Sequence, residues 1–258
     1  MLLFWNLTLY NNRMNFVSLG FFCSIALDLE KIGLRDTSSP FDWVISDFEM
    51  IIYGLQHKFV GFLNYDNLFQ LKNNKNVYYD NFYKTYFYHD FNKYKSLKEQ
   101  YKNVQLKYSR RINRFYKTIC EPTIFIRYIS PKCDADGKNI EINYLEKNLS
   151  KIIALIKSFN DNNEIIFIGD LQCISSKINI YKVPVDENDT VCRTPIITNK
   201  ELSSRLLSLA DNLKRSKNLS RYKKKQVKRK ILKPFKKIKA GLFKIFLQEY
   251  VHDKVLSE

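Results

Sequence analysis

Residues 16–43, FVSLGFFCSIALDLEKIGLRDTSSPFDW, decide the fold. Phe16, Val17 and Leu19 suit a short buried strand, and Gly20 punctuates it. Two aromatic residues later, Cys23 stands where a helix should begin. Ile25, Leu29 and Ile32 follow at i, i+4 and i+7, a helical stripe. Gly33 then closes the helix as a C′ residue would. The stretch therefore reads strand, tight turn, cysteine, helix. A helix N-terminus carries unpaired N–H groups and partial positive charge, which favour a thiolate and can hold an oxyanion. A buried thiol filling a gap beside Gly20 fits the same letters.

Working outward, Pro40 holds Ser39 extended. The loop of Arg35, Asp42 and Trp43 can line a pocket or anchor itself in the core. Residues 46–60 form a helical stripe of Phe48, Ile51, Ile52, Leu55 and Phe59, capped by Ser46 or Asp47. His57, near its end, suits the helix dipole. Residues 76–91 are dense in aromatics and read as one or two strands or ordered loops, ending in His89-Asp90-Phe91. The chain has three histidines, and His252 lies past a basic tail. His89 is therefore the base candidate for Cys23.

Residues 94–118 make the clearest helix, with Leu97, Tyr101, Val104, Tyr108, Ile112 and Phe115 at helical spacing. Its Arg110, Arg111 and Arg114 can gather into a carboxylate or phosphate site, or form a solvated face. Thr123–Ile129 is a continuously apolar strand carrying Arg127. Asp134-x-Asp136-Gly137 with Glu141 departs from a calcium loop, because Lys132 takes the first-ligand place, so it reads as a turn. A helix over 141–159, a strand over 164–168 ending in Gly169-Asp170, a strand over 178–183 and a helix over 200–213 complete the body. The alternation predicts an α/β fold with a mostly parallel central sheet flanked by helices, and Cys23 at the carboxyl end of its first strand.

The formal charge is +17, yet residues 212–248 hold 15 Lys or Arg and no acid. Taking those 15 from +17 leaves +2, so the body is near neutral and basicity belongs to the tail. The pI alone does not make this a nucleic-acid binder. The expected organisation is an extension over 1–13, an α/β domain over 14–211 and a basic amphipathic helical tail over 212–258, kinked at Pro234. The tail suits an anionic membrane surface, through 214–248 and its apolar cluster at 242–247, better than nucleic acid. No stretch is long enough to span a bilayer. Five cysteines without a C-x-x-C argue against a disulfide framework or zinc site. They point to a reducing, cytoplasmic setting, peripheral to a membrane through the tail. No metal or cofactor is expected. The 17 Tyr and 19 Phe, with abundant Lys, Asn and Ile, read as AT-rich coding.

Ser18-Leu19-Gly20-x-x-Cys23, Gly33-Leu34-Arg35 and Ser39-Pro40-Phe41-Asp42-Trp43 together resemble the "putative papain-like cysteine peptidase" family, which also carries a domain-of-unknown-function label. Phe87-Tyr88-His89-Asp90-Phe91, Arg110-Arg111-x-x-Arg114-Phe115 and Phe125-Ile126-Arg127 follow in the same order, so the resemblance covers about residues 15 to 210. It implies a cysteine peptidase or related thiol acyl hydrolase acting on a peptide, amide or acyl substrate. Cys23 would be the nucleophile and His89 the base, with Asp90, Asp42 or Asp170 orienting it. Arg35, Trp43, Arg111, Arg114 and Arg127 would bind substrate. Papain-like folds put a helix before an antiparallel sheet, whereas the residue pattern here reads as parallel α/β. The label therefore speaks to Cys–His chemistry more than to architecture. The rival reading is a non-catalytic binding or glycan-assembly accessory protein whose pocket uses Arg35, Asp42, Trp43 and Arg127.

Overall fold

The computed structural model describes residues 14–185, 189 and 191–231. The expected extension 1–13, the kink at Pro234, the apolar cluster at 242–247 and His252 lie outside them. In chain order the elements are β1 (Asn15–Ser18), α1 (Ser24–Lys31), β2 (Val44–Ser46), α2 (Phe48–Gln56), β3 (Leu68–Leu71), β4 (Asn74–Asp80), β5 (Thr85–Phe87), α3 (Leu97–Ile119), β6 (Thr123–Tyr128), α4 (Ile140–Lys157), β7 (Glu164–Asp170), β8 (Ile180–Val183), α5 (Pro195–Thr198) and α6 (Lys200–Ser208). A further helix, α7, covers 212–231.

The parallel sheet has the order β1-β6-β7-β8. Its central strand β6 is buried at all six positions, as expected of a strand covered on both faces. Alternation sorts the side chains. Val17, Phe125 and Phe167 join the core beneath α2, α3 and α4, whereas Phe16, Ile124, Ile126, Ile166 and Ile168 pack with α1 and α6. The α/β class read from the sequence is the class observed.

The aromatic stretch resolves into strands of a second, antiparallel sheet ordered β2-β5-β4-β3. Ser46 N–H donates to Phe21 O at 3.1 Å and fastens this sheet to the turn after β1. Asp80 closes the β4–β5 connection by accepting from the N–H groups of Leu63, Phe82 and Tyr83. Asp47 caps α2, and a Ser96–Glu99 capping box starts α3. The turn reading at 134–137 holds, with Asp134 Oδ1 accepting from Asp136 and Lys138 N–H and Gly137 at φ +76°.

The predicted 200–213 helix is in fact two helices. α6 stops at Ser208, and Asp211 then accepts from Leu213 and Lys214 N–H to start α7. α7 seats its first half on the end of α1. Arg215 Nε donates to Ile32 O, Asn218 to Gly33 O and Arg221 to Asp36 O. These carbonyls follow the negative end of the α1 dipole, where cations are favoured. Gly33, at φ +81°, also lets α7 approach: a Cβ there would stand 2.9 Å from Arg215 O. No helix among the described residues is long and apolar enough to cross a membrane.

Candidate functional site

Gly20, at φ +82°, makes the sharp exit from β1, and a Cβ there would meet Ser46 Oγ at 2.5 Å. The chain then places Cys23 as the N-cap of α1, half-buried, with no side-chain hydrogen bond to the first turn. The N–H groups of that turn have no acceptor inside the helix. Cys23 thus stands at the carboxyl end of β1. Cavities of about 170 Å³, beside Phe21, Ser46 and Ser130, and about 300 Å³, beside Asp170 and Cys173, open at the same end of the sheet. Open α/β sheets hold ligands at this end.

The electrostatics differ from the expectation of a helix-stabilised thiolate. Burial pushes the Cys23 thiol above its ordinary value, while its own backbone N–H pulls weakly the other way. Desolvation penalises the charged form more than one helix end favours it. The other cysteines have separate settings. Cys173 is buried and pushed to about 12, chiefly by burial and then by Asp170, and Cys192 Sγ lies 3.7 Å from Thr198 Oγ1. Cys120 and Cys133 are exposed.

His89 is exposed, its ring 6.4 Å from Trp43 and edge-on. Trp43 in turn lies under Arg35, whose guanidinium is 5.4 Å from its ring. Arg35 follows the far end of α1, an eight-residue helix about 12 Å long. No hydrogen bond or ring contact joins Cys23 and His89 among the described residues. His57 stacks on Tyr53 at 4.0 Å and its Nδ1 meets Tyr53 O at 2.8 Å, a helix-end histidine as read.

The three carboxylates considered as orienters each have other work. Asp42 accepts from Arg35 Nε at 2.9 Å, from Nη2 at 2.5 Å and from Ser39 N–H. Asp90 pairs with Lys107 and accepts from Tyr108 Oη at 2.8 Å. Asp170 accepts from the N–H groups of Gln172 and Cys173, closing the turn after β7.

The arginines part company too. Arg110 and Arg114 face solvent and Arg111 turns inward, its guanidinium 5.1 Å from the Tyr108 ring. Arg127 is fully enclosed, and its five N–H donors all meet protein oxygens: both of Glu141, Leu19 O, Ser46 Oγ and Ser46 O. It braces the two sheets and offers nothing to a substrate.

The structure thus gathers Arg35, Asp42, Trp43, His89, Asp90 and Arg111 at one place, between the β2–β5 end and the middle of α3. None of the contacts that join them includes Cys23. Sequence reasoning missed Lys107 and Tyr108 as the partners of Asp90, and Glu141 and Ser46 as the partners of Arg127. No local signal marks these pairs, which lie 14 to 81 residues apart.

The sequence profile of the family described as "putative papain-like cysteine peptidase" matches residues 14–168. An uncharacterized protein of Acanthamoeba polyphaga mimivirus is 29% identical over 208 residues, covering 69% of this chain and 91% of that protein. No solved structure matches. With the profile spanning more than half of its length, the chain belongs to the putative papain-like cysteine peptidase family.

Proposed function

We propose that the chain is a thiol acyl hydrolase with Cys23 as its nucleophile. One observation carries this reading: Cys23, half-buried, heads α1 at the carboxyl end of the parallel sheet, the end at which the cavity lined by Phe21, Ser46 and Ser130 opens. Once the thiol has given its proton to water, Sγ attacks the acyl carbon, the N–H groups of Ser24, Ile25 and Ala26 supply donors for the oxyanion, and the leaving group departs as its anion when the bond breaks. Water then cleaves the thioester, releasing the acid and restoring the thiol.

The family label implies a Cys23–His89 pair, whereas the ring contact of His89 is with Trp43. Without that pair the thiol is protonated at neutral pH. Amides, whose leaving group must be protonated, are then poor substrates, and esters or thioesters with good leaving groups suit the site. The cavity beside Phe21, about 170 Å³, has room for a short acyl chain.

p-Nitrophenyl acetate tests this. An acetyl adduct on Cys23 and nitrophenolate release should rise through the alkaline range, where the thiol ionises, and vanish in Cys23→Ser. His89→Ala should leave both unchanged. Release that survives Cys23→Ser, or adducts only on the exposed Cys120 and Cys133, would remove Cys23 from the chemistry. The convergence of Arg35, Asp42, Trp43 and His89 favours a second reading, a binding protein in which Cys23 is incidental. Cys23→Ser would then keep full ligand binding.

The tail is proposed to contact an anionic membrane surface through the exposed half of α7. Lys223, Lys224 and Lys228 flank the exposed Val227 and Ile231 there. Co-sedimentation with phosphatidylserine vesicles should be lost at high salt and in Lys223→Glu/Lys224→Glu/Lys228→Glu. Binding unchanged by the triple variant would refute the contact.

A further inference from the structure

Arg111 enters the cluster below Trp43 without an anion of its own. The two acids of this cluster already hold cations: Asp42 has Arg35 and Asp90 has Lys107. Its guanidinium lies 5.1 Å from the Tyr108 ring, and its charge also acts on Asp42. No salt bridge among the described residues includes Arg111. Its Nη1 is sealed from solvent and meets no hydrogen-bond acceptor. Tyr108 offers it the face of its ring in a cation–π contact, while Tyr108 Oη donates to Asp90. A desolvated guanidinium with an unused donor is costly and is ordinarily met by an acceptor.

Two routes of contact lead from Arg111 to the same rim. One runs through Asp42 and Arg35 to Trp43, the other through Tyr108 and Asp90 to the adjoining His89. An exposed imidazole and a half-buried indole, 6.4 Å apart, are thus the chain neighbours of the two acids that lie between them and an arginine without a counter-ion. We propose that Arg111, with His89 and Trp43, forms a binding site for a small oxyanion, the carboxylate or phosphate end of a ligand. The planar fork of Arg111 suits either group. Trp43 supplies a flat apolar wall beside it, and His89 a neutral or charged donor. The site stands on neither Cys23 nor acyl chemistry.

Trp43 is the reporter. In a Trp5→Phe background it is the one tryptophan left of the two. Inorganic phosphate and acetate are titrated separately at constant ionic strength, with chloride as the blank. A saturable change in Trp43 emission with either anion is expected. A response to phosphate alone assigns a phosphate ligand, and a response to acetate alone a carboxylate. Arg111→Gln should weaken binding at least roughly tenfold, since hydrogen bonds to charged groups are worth about 1.5–3 kcal/mol. Arg111→Lys, which keeps the charge and loses the fork, should fall between wild type and Arg111→Gln, and it covers the case in which the glutamine variant does not fold. Arg114→Gln, on the exposed face of the same helix, and Cys23→Ser should bind like wild type. No saturable response to either anion, or equal weakening in Arg111→Lys and Arg114→Gln, would overturn the site.

Discussion

Arg127→Leu is expected to lose about 3–5 kcal/mol of stability, the range for removing one member of a buried, hydrogen-bonded ion pair. The deletion strands Glu141, whose two carboxylate oxygens each accept from Arg127 at 2.7 Å. It also removes the Arg127 donors from Leu19 O, Ser46 Oγ and Ser46 O, leaving Leu19 O with the Ser46 hydroxyl at 3.4 Å. Glu141 Oε2 keeps only the Ser130 N–H, at 3.1 Å. Against a total stability of about 5–15 kcal/mol for a domain, this loss brings the chain close to unfolding at moderate temperature. Urea denaturation measures it. The double variant Arg127→Leu/Glu141→Leu should recover part of the loss, because the stranded charge is what costs most. A loss below about 1 kcal/mol, the scale of an exposed pair, would mean that water reaches this network.

The position of Arg127 explains why it looked like a substrate contact. A lone arginine inside an apolar strand has two readings, a ligand aimed into a pocket or a brace between layers. Only the fold shows that the strand is central and that Glu141 stands opposite. The rest of the parallel half was legible. Continuous apolar runs gave β6 and β7, the i, i+4, i+7 stripe gave α1, and Asp47 and Gly33 marked their helix ends because capping is local chemistry. The antiparallel half was not legible in the same way. With Tyr or Phe at seven of the twelve positions from 77 to 88, often side by side, the period-2 contrast that marks a strand is lost, and the pairing Val44↔Phe87 joins residues far apart in sequence. His89 was reached by eliminating other histidines, and elimination carries no distance. The indole between His89 and Arg35 belongs to three-dimensional packing.

Arg35→Met is expected to cost about 3 kcal/mol at neutral pH, the low end of the buried-pair range because the Arg35 side chain keeps 11% exposure while Asp42 has 2%. The sign of its pH dependence follows from Asp42. Burial already pushes that carboxyl above its ordinary range, with Arg35 and the Ser39 N–H pulling it back. Removing Arg35 raises it further. A carboxyl whose folded value lies above its unfolded one, about 3.9, stabilises the fold below the unfolded value and loses that contribution as pH rises through the folded value. The deficit of Arg35→Met relative to wild type should therefore be full at neutral pH and shrink as the solution is taken down toward about pH 4. Urea midpoints across that range measure it. The double variant Arg35→Met/Asp42→Leu, which removes the stranded charge, should be flatter in pH and more stable than Arg35→Met alone. A deficit that does not change with pH would mean that Asp42 stays ionised without its arginine, which would place water or another cation in the cluster. Trp43 provides a local reading of the same event. Its ring loses the guanidinium 5.4 Å away, so its emission should shift in Arg35→Met even where global stability is restored by the second substitution. That separation matters for the oxyanion site, because Arg35 fixes Asp42, Asp42 fixes Ser39, and this loop carries Trp43 to the rim where Arg111 is unpaired.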